Sequence, residues 1–188
     1  MLSDNKQSVF GHAFFQKQVD GSYRELADRL GAENYWPWGL SVGDLNADGY
    51  LDVFIASSMC FPYRYSTNSV LLNDGGVGFL DSEFILGIEP RAEGRQIKPW
   101  FQLDADGLDS ENPICQGRTG TVTVWSALGS RSSVMFDLDD DGDLDIITND
   151  FNSQPMVLVS NLSEQKTSLK WPKITLQRTQ CNRDGLGA

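Results

Sequence analysis

The sequence predicts an all-β fold with little helix, and three observations carry that prediction. Short runs rich in β-branched and aromatic residues recur along the 188-residue chain. Clusters of Gly, Asn and Asp separate these runs, as turns separate strands. Helical periodicity occurs in one place, at 23–34, where Leu26 and Leu30 stand four positions apart and Gly31 is the expected stop.

The predicted strands follow this helix at irregular intervals. They lie at 51–57, 68–73, 121–125, 144–149, 156–161 and 173–177. The stretch at 87–120 contains three prolines and five glycines, and we interpret it as an insertion or a long exposed loop with a possible functional role.

The composition indicates a globular protein and restricts its partners. The chain is 40% hydrophobic and 11% aromatic, which excludes a disordered chain. Its formal net charge of −11 disfavours nucleic acid and anionic membrane surfaces and favours cations. No apolar run reaches the roughly 18 residues that span a bilayer, so no membrane insertion is expected.

Two acidic nonapeptides repeat one pattern 93 positions apart. "DLNADGYLD" at 44–52 and "DLDDDGDLD" at 137–145 both carry an acid or amide at positions 1, 3, 5 and 9 and Gly at position 6. Each is followed by a β run, a loop and a second β run. The spacing exceeds the 40–50 residues common for propeller blades, and the 87–120 insertion accounts for the excess. Because such units bury their apolar faces against neighbours, the chain is expected to be part of a larger ring or to assemble with copies of itself.

The spacing of the acids suits a hard divalent cation such as Ca²⁺, which takes six to eight oxygen ligands. A tight loop supplies them from alternating positions, and Gly at position 6 allows the sharp turn. The predicted ligands, two sites in all, are the side chains of Asp44, Asn46, Asp48 and Asp52 with the Tyr50 carbonyl, and the side chains of Asp137, Asp139, Asp141 and Asp145 with the Asp143 carbonyl. The side chains of Asp140 and Asp143 fall off this pattern and are expected to face solvent.

Other metal sites fit the sequence less well. An EF-hand needs Glu at position 12 and flanking helices, but Ile55 and Thr148 occupy that position and β-like runs follow. Zinc is disfavoured because His12 is the single histidine and the three cysteines form no CxxC pair. One disulfide or three free thiols at Cys60, Cys115 and Cys181 remain open alternatives. A degenerate third acidic motif, at 104–109, is interpreted as a solvated turn.

The motif D-x-[DN]-x-D-G-x-x-D followed by an apolar strand resembles the FG-GAP or VCBS repeat of integrin α-type propellers and many secreted bacterial proteins. "NSVLLNDGGVGF" at 68–79 is similar to the hairpin of that repeat, and "LKWPKITLQRTQCNRDGLGA" at 169–188 resembles the opening of the ASPIC/UnbV (cartilage acidic protein-like) module. The resemblance implies β-propeller-type blades of antiparallel strands, here a partial propeller, with Ca²⁺ loops within blades. It also implies an extracellular or cell-surface location. The opening residues lack the features of a signal peptide, so this chain is expected to be a piece of a longer precursor.

The resemblance and the repeats divide the chain into five predicted parts. They are the tail of a preceding blade with a short helix (1–34), a first repeat (35–86), the insertion with a strand (87–129), a second repeat (130–167) and the start of an ASPIC/UnbV-like module (168–188).

The favoured function is a non-enzymatic calcium-binding module for adhesion or protein–protein interaction. No catalytic triad and no phosphate-binding glycine loop is recognisable. The alternatives are a subunit of an extracellular filament or ring, and a carbohydrate-binding or glycan-processing domain. Aromatic residues that could contact a protein partner or glycan are Tyr35, Trp36, Trp38, Phe61, Tyr63 and Tyr65, and Asn161 opens a possible glycosylation sequon.

Overall fold

The computed structural model describes residues 12–32, 36–57, 65–91, 94–169 and 171–172. Within these residues the all-β prediction is confirmed, because antiparallel strands dominate and both α-helices are four residues long. The elements are β1 (Phe15–Lys17), β2 (Tyr23–Glu25), α1 (Ala27–Leu30), β3 (Pro37–Gly43), β4 (Asp52–Ser57), β5 (Ser69–Asn73), β6 (Phe79–Asp81), β7 (Ile97–Asp104), β8 (Thr121–Ala127), β9 (Gly129–Phe136), β10 (Asp145–Phe151), β11 (Val157–Leu158) and α2 (Leu162–Gln165).

Two sheets carry the two acidic nonapeptides. The four-stranded sheet has the order β3-β4-β5-β6, and the three-stranded sheet has the order β11-β10-β9. Every residue of β4 is buried, which explains why its sequence is a nearly continuous apolar run and does not alternate between apolar and polar residues. In both sheets the nonapeptide connects two hydrogen-bonded neighbours, β3 to β4 and β9 to β10.

The two sheets pack face to face through an apolar core. Phe54 and Val70 of the four-stranded sheet meet Ile146 of the three-stranded sheet, and all three are at least 97% buried. Burying a side chain such as Phe54 contributes about 1.5–3 kcal/mol. The core therefore fixes the relative position of the two strands, β4 and β10, that begin at position 9 of each nonapeptide.

Glycines allow β3 and β9 to approach closely. A Cβ on Gly43 would lie 2.6 Å from Leu144 Cδ1, and one on Gly39 would lie 3.1 Å from the Arg131 carbonyl oxygen. The Arg131 oxygen belongs to the backbone of β9, so a side chain at Gly39 would push the two strands apart, whereas the Leu144 side chain can rotate away from one at Gly43. The close approach of β3 to β9 therefore requires glycine at position 39 above all.

The stretch at 87–120, expected to be an irregular loop, contains the eight-residue strand β7, paired with β8. The loop prediction is therefore wrong over Ile97–Asp104, where a proline lies inside a strand instead of marking a loop. Pro99 lies in β7 at a register shift between Pro99 and Phe101, a position where a missing N–H is tolerated. The hairpin has a small core of its own that includes Leu103 and Val122.

The helix expected at 23–34 is much shorter. Tyr23–Glu25 forms β2, which pairs with β1, and only Ala27–Leu30 is helical. A turn with Gly21 at φ +86° joins β1 to β2, so hairpin pairing replaces the first helical turn. The predicted stop is confirmed, since Gly31 ends the helix at φ +68°.

A buried polar network attaches segments that precede β5 and follow β6 to the three-stranded sheet. Arg91 donates to Asp150 on β10 and, at 2.9 Å, to the Ser130 hydroxyl on β9. Its Nε donates at 3.0 Å to the hydroxyl of Tyr65, which in turn donates at 2.7 Å to the buried Glu89. Burial acts to lower the pKa of Arg91, but Asp150 outweighs it and holds that pKa above its ordinary value.

Candidate metal-binding loops

The first loop (44–52) and the second loop (137–145) have the same backbone conformation. Position 4 lies in the left-handed region in both, with φ +53° at Ala47 and φ +67° at Asp140. Position 6 follows with φ +93° at Gly49 and φ +97° at Gly142, a conformation that favours glycine. The register predicted from the repeated acids is therefore the register of the folded loops.

The carboxylate at position 1 closes each loop onto its own backbone. Asp44 accepts the N–H of Asp48 at 3.0 Å and that of Gly49 at 2.9 Å. Asp137 accepts the equivalent N–H groups, four and five residues on, at 3.0 and 3.1 Å. These bonds curl the chain into the same tight turn in each loop. Among the described residues, three carboxylates converge to within metal-ligating range in the second loop alone.

The carboxylate at position 9 anchors each loop to its sheet. Asp52 and Asp145 are fully buried. Each accepts one backbone N–H from position 2 of its own loop and one from the end of the next strand along the chain, Asn73 of β5 or Ser160 just after β11, all at 2.7–2.8 Å. A carboxylate has about four lone-pair positions, so these bonds leave capacity for a metal ion.

The second loop brings three carboxylates into metal-ligating range. Oxygens of Asp137, Asp139 and Asp145 all lie within 4.8 Å of one another. Loss of solvent, and then the nearby charges of Asp141 and Asp145, raise the pKa of Asp139 above its ordinary value. Hard oxygen donors that repel one another in this way suit a hard dication, whose charge reverses the interaction.

The first loop offers an amide where the second offers an acid. Asn46 accepts the Asp48 N–H at 3.1 Å, and its amide donates to the Asp48 carboxylate at 3.0 Å. Burial, and then the charges of Asp48 and Asp44, raise the pKa of Asp52. The donor set is again all oxygen, with three carboxylates instead of four.

The Asp143 side chain, expected to face solvent, is 4% exposed. Its Oδ2 accepts the Ser163 N–H at 2.8 Å, and its Oδ1 is buried without a hydrogen-bond partner among the described residues. Asp140, expected in solvent as well, is exposed. The Asp143 prediction is wrong because its partner lies 20 residues downstream, beyond the reach of a nonapeptide pattern.

Ser163 also holds Asp141, the predicted ligand at position 5 of the second loop. Its hydroxyl donates to Asp141 Oδ2, and Asp141 Oδ1 accepts the Asp143 N–H at 3.2 Å. The Ser163 hydrogen bond is the main cause that lowers the pKa of Asp141 below its ordinary value. Two hydrogen bonds therefore fix the orientation of the Asp141 carboxylate.

The predicted contact aromatics have different environments. Trp36 and Trp38 are 44% and 56% exposed, and the Arg131 guanidinium lies 4.3 Å from the Trp38 ring centre. Tyr65 is not a free surface aromatic, because its hydroxyl belongs to the buried network with Glu89. The other predicted contact residues, Tyr35, Phe61 and Tyr63, lie outside the described residues, as do Cys60 and Cys181.

Three remaining predictions concern single features. Cys115 is a buried free thiol. The motif at 104–109 forms a turn in which Asp109 accepts the Asp104 N–H at 2.8 Å. Asn161 is exposed and accepts a hydrogen bond from Gln165 at 2.8 Å, so its glycosylation stays a prediction.

Comparison with known proteins supports the repeat. A family model described as an FG-GAP-like repeat matches residues 4–55, a range that contains the whole first loop. No curated protein matches the chain. In the described part of the chain, no helix has the length and apolar character needed to cross a membrane. The ASPIC/UnbV resemblance stays a prediction, and residues 173–188 lie outside the described ranges.

Proposed function

We propose that this chain is a non-enzymatic, extracellular calcium-binding module of the β-propeller type, in which Ca²⁺ is structural and the sheets serve adhesion or protein–protein contact. The observation that carries the proposal is the second loop, where three carboxylates lie within 4.8 Å of one another. The first loop has the same backbone turn, and the FG-GAP-like match at 4–55 covers it.

The residues that would hold the ions are those predicted from the spacing. The ion supplies positive charge that removes the repulsion among the carboxylates. The position 9 carboxylates, Asp52 and Asp145, would then link the bound ion to the backbone of two further segments. Each sheet would become more rigid, because the bound ion and the position 9 carboxylate together connect the loop, the strand that follows it and the end of the next strand.

Calcium titration calorimetry tests the proposal. The wild-type chain is expected to bind two Ca²⁺ ions in the roughly 10⁻⁴–10⁻³ M class of extracellular modules. Asp48→Asn and Asp139→Asn each remove an exposed carboxylate and are each expected to abolish one site. Asp140→Asn, also exposed but off the ligand pattern, is the matched control and should keep both.

If calcium titrated into the wild-type chain produced no heat of binding, the proposal would be refuted. Loss of a site in Asp140→Asn, with both sites kept in Asp139→Asn, would refute the assignment of ligands.

A second candidate function is self-assembly, and exposed apolar rows on the two sheets favour it. Trp38, Leu40 and Val42 alternate along β3 and are 48–62% exposed. On the three-stranded sheet, Val134 and Val157 are 48% and 55% exposed. Rows of this kind are the surfaces that neighbouring repeat units cover.

Sedimentation velocity tests self-assembly. The wild-type chain is expected to sediment faster as its concentration rises, and Leu40→Asp should remove that dependence. Leu108→Asp is the control, because Leu108 is 99% exposed and lies in the turn at 104–109, away from the β3 row. A wild-type chain that stays monomeric at all concentrations would exclude this candidate.

A further inference from the structure

Helix α2 is attached to the second loop. The Ser163 N–H donates to Asp143 and the Ser163 hydroxyl donates to Asp141, two hydrogen bonds from one residue. The indole of Trp171 lies against the same loop, at Gly142, where an added Cβ would overlap it. The chain that leaves the three-stranded sheet is thus held on the second loop at two points.

The next residue after α2 contacts the first loop instead. The Lys166 ammonium donates to the carbonyl oxygen of Ala47 at 2.6 Å and to that of Asn46 at 3.2 Å. Lys166 is about 120 residues from these partners in sequence, so the contact depends on how the two sheets are packed. The segment 162–166 therefore bridges the two loops.

The bridge places a positive charge on one loop only. The ammonium lies on the first loop, which already has one carboxylate fewer, since Asn46 takes the place of Asp139. The second loop has, in addition, the buried Asp143 carboxylate, where the first loop has the exposed Tyr50. The two loops have the same backbone conformation but differ in charge.

We propose that Lys166 is an affinity-determining residue of the first loop: a tethered cation, held in place by the contacts of Ser163, that opposes the binding of a divalent ion there and leaves the second loop as the tighter site. This inference rests on the proposed calcium binding. A unit charge close to a divalent ion shifts a binding constant by about five- to tenfold even when water screens the pair.

The alternative role for Lys166 is a clamp that shapes the first loop, and the two roles predict opposite effects. A tethered cation weakens calcium binding, so its removal tightens the first site. A clamp organises the loop, so its removal weakens the site. Only the first effect depends on charge and falls with added salt.

The experiment titrates calcium into chains that carry Asp139→Asn, so that the measured affinity is that of the first loop alone. Lys166→Gln is expected to tighten binding about five- to tenfold in low salt, with a smaller gain in 0.5 M salt, because counterions screen the charge. Lys166→Arg keeps the charge and should bind as the parent does. Lys98→Gln, on β7, removes a positive charge at a site with no hydrogen bond to either loop and should have no effect.

The outcomes separate this inference from the proposed function. If the wild-type chain binds calcium but Lys166→Gln leaves the first site unchanged or weaker, the tethered-cation role is overturned and the proposed function stands. If the wild-type chain binds no calcium, both are overturned. Should Lys166→Gln fail to fold, Lys166→Met, which keeps the aliphatic stem, repeats the test with the same two readings.

Discussion

The position 9 aspartates have a role in the fold in addition to the metal ligation that we propose. Asp52 and Asp145 are fully buried, and each carboxylate accepts two backbone N–H groups. A buried carboxylate is costly unless hydrogen bonds and opposite charge compensate it. Substituting either residue would therefore disturb the sheet as well as the proposed metal site, which is why the exposed predicted ligands Asp48 and Asp139 are the better probes of binding.

Glycine at position 6 provides a test at the scale of one residue. Both Gly49 and Gly142 have φ above +90°, so alanine is strained at either position by about 1–2 kcal/mol. A Cβ at Gly49 meets no atom within 4 Å, whereas one at Gly142 overlaps the Trp171 indole. We predict that Gly142→Ala lowers the free energy of unfolding more than Gly49→Ala does, measured by urea denaturation.

The extra cost at Gly142 has its own control. In a chain that carries Trp171→Ala the overlap is gone, so adding Gly142→Ala should lower the free energy of unfolding about as much as Gly49→Ala does in the wild-type chain. Equal costs for the two single variants would contradict the contact between Trp171 and the second loop.

At the scale of elements, the segment that follows β6 is bound to the three-stranded sheet by a buried ion pair. Arg91, 6% exposed, bonds to Asp150 on β10 and Ser130 on β9. Removing one member of a buried ion pair leaves an uncompensated charge and costs about 3–5 kcal/mol. We predict a loss of this size for Arg91→Met and for Asp150→Asn, measured by chemical denaturation.

The double variant distinguishes an ion pair from two independent contributions. With both charges gone, Arg91→Met/Asp150→Asn should cost clearly less than the sum of the single variants, because neither charge is left alone. Additive costs would show that the two side chains do not act as a pair.

The elements also show what the sequence can predict. Strands such as β4 and β10 are predicted well because each is a dense apolar run that starts at an acidic turn. Strand β7 is missed because Pro99 and the nearby glycines resemble a loop, and the bulge that accommodates Pro99 depends on pairing with β8. The helix at 23–34 is predicted too long because pairing with β1 overrides local periodicity at Tyr23–Glu25.

At the scale of the whole molecule, sequence spacing predicts the loops but not what surrounds them. The repeated acids predict both turns in register, since ligand spacing is local. The contact of Ser163 with the second loop crosses 20 residues, and the contact of Lys166 with the first loop crosses 120 residues and depends on how the two sheets pack. The same holds for Tyr65, whose buried partner Glu89 is 24 residues away.

The pH dependence of calcium stabilisation follows from the crowded carboxylates. The pKa values of Asp52 and Asp139 are raised in the fold, so these groups favour the folded state when protonated and lose that contribution as pH rises through the raised values. At pH 7 the carboxylates of the calcium-free chain therefore repel one another fully. Protons replace calcium in acid, so the stabilisation by calcium should be largest near neutral pH and shrink towards pH 4.

The most direct test of the account is the thermal unfolding midpoint at pH 7 in millimolar Ca²⁺ and in chelator, with Mg²⁺ at equal ionic strength as the control. When the calcium concentration is about tenfold above the dissociation constants of the two sites, the midpoint should rise by roughly 5 °C or more. The account predicts this rise with Ca²⁺ and a smaller one at pH 4. Identical midpoints in Ca²⁺ and chelator would contradict it.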